Sequence, residues 1–285
     1  MMALLGEGEG HSSFSLLHAL GAGYGCSIGI DLSTKIRLRD NEPNKTAEDP
    51  SGLLDAVVDT WVAAGFEKPA EELYWQDRSN VPMGQGLKSS AAASVAAIKA
   101  LASACEVELT NAQIVDISAQ SQISAGISLT GSVDDAWAAI EPGWKIVNPN
   151  LPAEEGILME GDFPEPDDWK VLLVLRGERE LLPDAQRFAQ VAPQFERAIV
   201  AMEQGALLVA LTENGRATSN ALGDGKGRRL ANDLLVWGAR AAGISGSGPA
   251  IAALVPSYNE SVLRRIEQLA EQRGHETIVT DLWTA

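Results

Sequence analysis

The run PMGQGLKSSAAAS, Pro82 to Ser94, constrains this chain more than any other stretch. Two glycines and a proline lead into adjacent serines, and a long alanine-rich helical pattern follows at once, over about 89–104. A loop that empties into a helix start collects unpaired backbone N–H groups at the positive end of the helix dipole, and such an arrangement binds phosphate oxygens. The helix places Val95, Ile98, Leu101 and Ala102 on one face, and its alanines permit close packing all round, so it is expected to be buried. The loop is close to a Walker A sequence without being one, because Leu87 separates Gly86 from Lys88 and breaks the G-x-x-x-x-G-K-[ST] spacing. A glycine turn that merely caps a core helix is the bland alternative. Against it stand the paired hydroxyls, where Ser89 or Ser90 can cap the helix or hold a magnesium ion, and Lys88, a cation beside the phosphates.

The rest of the chain frames this loop with alternating elements. Strands are expected at 28–38, 72–76, 170–175, 250–255 and 276–283. Helices are expected at 53–64, at 111–123 with Thr110 as N-cap, and at 184–191, 194–212, 228–242 and 259–273. The stretch from Pro142 to Trp169 is proline-rich and acidic, and the lobe boundary is placed there, giving an α+β chain with lobes at 1–155 and 156–285. A length of 285 residues suffices for a full core. The net charge is −17, and only eight of the 22 basic residues are lysine. That surface repels nucleic acid and anionic membranes, so neither is expected as a partner, and it fits adaptation to a salty cytoplasm. The first residues, MMALLGEGEG, lack the basic n-region of a signal peptide, and a cytoplasmic location with Cys26 and Cys105 as reduced thiols is expected.

Four segments in order carry a resemblance. The loop P-x-x-x-G-L-x-S-S-A-A is similar to the phosphate loop of the GHMP kinases, and lysine before the serine pair resembles the archaeal-type shikimate kinase branch. HALGAGYGCSIGIDL (18–32), AGISLTGSVDDA (125–136) and AGISGSGPAIAALV (242–255) resemble further motifs of that branch, with Asn214–Gly215 matching a short element between them. His18 stands where asparagine is common, and Ala91 where a third serine is frequent.

The resemblance implies a two-lobed GHMP kinase fold, with a ribosomal protein S5 domain 2-like N-terminal lobe and a ferredoxin-like C-terminal lobe. It implies ATP and Mg²⁺ as cofactors and shikimate as acceptor, phosphorylated on its 3-hydroxyl. Pro82, Met83, Gly84, Gln85, Gly86, Leu87, Lys88, Ser89, Ser90, Ala91 and Ala92 would bind ATP, and Ser90 would help ligate Mg²⁺. Gly246, Ser247 and Gly248 would close over the phosphates. Alone, Asp134 and Asp135 read as a solvated turn; by register with the relatives Asp134 is the catalytic carboxylate, with Asp135 the alternative. Arg176 and Arg179 are candidate partners for the shikimate carboxylate. Another GHMP kinase, such as homoserine kinase, or a non-catalytic sensor of this fold remains the alternative function. Gly25-Cys26-Ser27-Ile28-Gly29 also fits the G-x-S-x-G elbow of hydrolases, but a strand-like run follows it where a helix is required. The three histidines and two cysteines form no metal-ligand spacing.

Overall fold

The computed structural model describes residues 4–178 and 180–284. Two antiparallel sheets organise it. The first begins with a long pair, β1 (Leu4–Leu17) and β2 (Cys26–Arg39), joined through the short helix α1 (Ala19–Ala22). Helix α2 (Leu53–Ala63) leads to β3 (Tyr74–Ser79), which pairs with the far half of β2, from Thr34 to Arg39. That pairing shifts the strand two to three residues past its expected place.

Next come α3 (Ser89–Ala104), α4 (Asn111–Ser124) and α5 (Val133–Ile140). Thr110 caps α4 as expected: its hydroxyl accepts from the Gln113 amide, and the Gln113 side chain accepts from the Thr110 amide. Two strands in the proline-rich stretch, β4 (Trp144–Val147) and β5 (Ile157–Gly161), complete the sheet in the order β1-β2-β4-β5. The chain crosses to the second sheet between Gly161 and Trp169.

Strand β1 was not anticipated, and its sequence explains why it exists. Gly6, Gly8 and Gly10 fall on one face by the two-residue period of a strand. A Cβ at each would lie 2.2–2.3 Å from the carbonyl oxygens of Ala100, Ala96 and Ala92, one per turn of α3. The bare glycine face lets the alanine face of the helix lie directly on the strand, which buries α3 and fixes where its N-terminus points. Gly8→Ala should therefore cost about 2–3 kcal/mol by overpacking, read as a lowered denaturation midpoint, whereas Glu7→Ala on the exposed face should be nearly silent.

The second sheet, in the order β7-β8-β6-β9, starts with β6 (Trp169–Leu175). Helices α6 (Ala185–Gln190), α7 (Ala192–Glu203), α8 (Leu207–Leu222) and α9 (Gly225–Trp237) precede β7 (Ala241–Ile244) and β8 (Ile251–Pro256); α10 (Glu260–Gln272) and β9 (Glu276–Thr280) finish the chain. Two expectations are corrected here. The single helix over 194–212 is two, broken at Gly205, whose φ of +70° ends α7. The helix over 228–242 stops at Trp237 because Gly238 adopts a positive φ and residues 241–244 pair with β8. One buried cluster joins the sheets, with Phe14, Leu16 and Ile28 of the first meeting Val171 and Leu173 of the second. No helix among the described residues is long and apolar enough to cross a membrane.

Candidate active site

The glycine loop is folded by three left-handed residues, Gly84, Gly86 and Lys88, the last with φ of +60°. Lys88 occupies the N-cap position of α3 with no side-chain cap bond, so neither Ser89 nor Ser90 caps the helix as expected. The amides of the first turn keep no side-chain partner, which is the state an anion site requires. Contacts from both halves of the chain hold the loop. Ser12 donates to the Leu87 carbonyl at 2.7 Å, Ser245 to the Gly86 carbonyl at 2.8 Å, and the Ala250 amide to the Gln85 carbonyl at 3.0 Å. The turn at 245–248 packs so closely that a Cβ on Gly86 would sit 2.3 Å from the Ser245 oxygen.

A cavity of about 180 Å³ opens beside this loop. Gly84, Gly86, Lys88, Ser89 and Ser90 line it on one side, and Asp134 and Asp135 on the other. Ser90 donates to the Gln122 side chain at 3.0 Å, which leaves its lone pairs available. Ala91 and Ala92 are buried inside the helix, and Leu87 in the core beneath the loop. The Gln85 side chain reaches the Gly177 carbonyl, while Met83 is exposed. Gly246 and Ser247 complete the cavity wall; Gly248 packs on the Gln85 backbone.

The aspartates are not a solvated turn. They lie in the first turn of α5, 6% and 7% exposed, where the helix dipole favours a carboxylate. Ser27 on β2 offers its hydroxyl to both, at 3.1 Å from Asp134 and 2.7 Å from Asp135. The Lys88 ammonium pairs with Asp135 at 2.8 Å. Burial, then the neighbouring Asp135, pushes the Asp134 carboxyl up from its usual range to about 7. The two acids thus have different tasks available: Asp135 is tied to a cation, and Asp134 titrates near neutrality. Gly25 makes room for this arrangement, since a Cβ there would lie 2.5 Å from the Asp134 Cγ.

Three residues that lie in the motifs above were given no role in the site from sequence. The only role weighed for Ser27 was that of a hydrolase elbow, yet it sits within a strand and holds two acids. His18 lines the cavity, its Nε2 2.9 Å from the Ser247 hydroxyl and its ring 4.4 Å from Phe188. Burial, then Lys88, lowers its pKa to about 3, so it is neutral at ordinary pH. Asn214, buried on α8, accepts the His18 amide at 2.9 Å. A serine between two glycines in an apolar strand, and an asparagine in an apolar helix, were the available signals.

Against known proteins, the family profile of the GHMP kinases N terminal domain matches residues 51–143. The chain is 30% identical to a shikimate kinase of Pyrococcus furiosus over 96% of its own length and 98% of the relative's. It is 31% identical to that of Thermococcus kodakarensis over 92% and 93%. The chain belongs to the GHMP kinases, in the archaeal-type shikimate kinase family. Its fold superposes on the mevalonate kinase of Methanococcus jannaschii with a TM-score of 0.75 at 17% identity, covering 98% of both chains.

In this kinase the three other motifs converge on the glycine loop. The first brings Ser27 and His18, the third brings the aspartates, and the fourth brings the 245–248 turn. Of the two candidate carboxylate partners, Arg176 does not line this cavity. Arg176 pairs with Asp224 and donates to the Pro249 carbonyl, and Arg179 lies outside the described residues.

Proposed function

We propose that this kinase transfers the γ-phosphate of ATP to the 3-hydroxyl of shikimate, with Asp134 as proton acceptor. One observation carries the assignment of roles: a buried carboxyl titrating near 7 shares a small cavity with the uncapped start of α3. Phosphoryl transfer passes through a loose transition state, so positioning and charge neutralisation do most of the work. The loop amides and Ser89 would hold phosphate oxygens, with Lys88 beside them. The acceptor oxygen forms its bond to Pγ as the bond to the β-phosphate oxygen breaks; the hydroxyl proton passes to Asp134, and the bonding pair leaves on ADP.

The donor set also fits magnesium in the manner of this metal, which keeps waters and phosphate oxygens and takes few protein ligands. No group of three metal-ligating His, Cys, Asp or Glu side chains occurs among the described residues. Ser90, with free lone pairs, and a neighbouring carboxylate would hold the ion together with the nucleotide. When bound, Mg²⁺ neutralises charge on the phosphates.

ADP release with Mg·ATP should be seen with shikimate and not with homoserine or mevalonate. Turnover on homoserine alone would sink the acceptor assignment. Running the assay in dilute and molar salt tests the reading of the acidic surface as salt adaptation, with higher activity expected in molar salt.

A further inference from the structure

The acceptor's carboxylate needs a cation, and the cavity around Asp134 offers few. Lys88 is the only lysine or arginine among its described lining residues, and its ammonium is engaged by Asp135. A second cavity of about 520 Å³ adjoins the first, and Ser247 lines both. Four basic side chains surround it: Arg176, Lys226, Arg229 and Arg273. Two are committed. Arg176 is held by Asp224 and the Pro249 carbonyl, and Arg273 pairs with Asp233 while its guanidinium lies 4.6 Å from the centre of the Trp237 ring.

Lys226 and Arg229 are different. Both are exposed, and neither has a carboxylate partner among the described residues. They stand three apart over the first two turns of α9, so they are neighbours on one helix surface near the positive end of its dipole. In a chain with a net charge of −17, two cations side by side at a cavity, neither in an ion pair among the described residues, point to an anion. The start of this helix is also braced. Asp224 caps α9 by accepting the Gly227 amide at 2.8 Å, and Arg176 fixes Asp224 in turn. Leu222, Leu230 and Pro249 add apolar surface on which a carbon ring can rest. The acids Glu178 and Glu180, on the segment after β6, also line the cavity and help set which anions enter it.

Resting on shikimate as the acceptor, we propose that Lys226 and Arg229 recognise its carboxylate. The ring then lies across Ser247, with its reacting hydroxyl on the Asp134 side. Arg176 becomes a positioning residue, acting through Asp224 on the first turn of α9 rather than touching the substrate.

Steady-state kinetics on the wild type and on the Lys226→Ala/Arg229→Ala pair, with shikimate and with its methyl ester, test this. Loss of charge-assisted hydrogen bonds should raise the KM for shikimate about 10–100-fold in the paired variant. The kcat and the KM for ATP should stay within about twofold of wild type, and the wild type should show a similar KM penalty on the ester, which has no carboxylate charge. The paired variant should treat acid and ester alike. Lys226→Gln/Arg229→Gln, which keeps most of the side-chain length, should match the alanine pair. Arg228→Ala, removing a side chain bonded to Asn220 and absent from the cavity wall, should change nothing. An unchanged KM in the paired variant overturns the proposal alone, as does a raised KM with acid and ester still discriminated. Wild type that turns over homoserine and not shikimate overturns the acceptor assignment, and this proposal with it.

Discussion

Asp134→Asn will cut kcat by about 10³-fold and, at neutral pH and above, make the protein more stable. Both effects come from one displaced titration. The carboxyl must be ionised to accept the hydroxyl proton, and in the folded chain it ionises near pH 7. Wild-type kcat/KM should therefore fall as pH drops through about 7, and the residual rate of the variant should lack that limb. For stability the sign follows from comparing folded and unfolded chains. An unfolded aspartate ionises near 3.9. Between about pH 4 and 7 the unfolded chain releases a proton that the folded chain still holds, so stability declines as pH rises across that window. Asparagine removes the decline and can still accept from Ser27. The variant should match wild type below pH 4 and exceed it by about 2–4 kcal/mol above pH 7, read from denaturant midpoints. Full turnover in the variant would remove Asp134 from the base role, and identical pH profiles would remove the strained carboxyl.

Gly248→Ala should be the most damaging change remote from the aspartates. Its Cβ would lie 2.2 Å from the carbonyl carbon and oxygen of Gln85 and from the Gly86 nitrogen. All three are backbone atoms, so no side chain can swing aside. Either the turn or the phosphate loop must move, breaking the Ser245–Gly86 and Ala250–Gln85 bonds. A loss of about 2–4 kcal/mol is expected, with a fall in melting temperature of roughly 5–10 °C. The KM for ATP should rise at least about tenfold, because the loop amides lose their aim. An alanine variant with wild-type melting and ATP affinity would show that the turn does not set the loop.

What could be read from the chain depended on how local the physics was. Helix α3 was legible to the residue, because glycines, serines and alanines state the loop, the start and the packing within 25 positions. The capping box at Thr110 was legible for the same reason. Strand β1 was not, since GEGEG looks like a turn until an alanine helix from 90 residues away is laid on it. The aspartates were legible as candidates through their motif, while their inequality was not. It arises from Ser27, more than a hundred positions earlier, and from Lys88, whose ammonium, read from the sequence only as a phosphate cation, also pairs with Asp135. The helix over 228–242 overran because its apolar spacing continues past Trp237, and only pairing with β8 makes 241–244 a strand.

The bonds from Ser245 and Ala250 to the phosphate loop have a bearing on inheritance. The loop proposed to cradle the nucleotide takes its shape from two stretches 159 positions apart in the chain. A recombinant that took residues 4–161 from this kinase and the remainder from a distant relative would carry Ser89, Ser90, Asp134 and Asp135. It would inherit the loop's shape only if the new half presented the same serine and glycine to Gly86 and the same amide to the Gln85 carbonyl. The two halves are therefore bound to drift together, and swaps between family members should succeed in proportion to how well that single seam is matched.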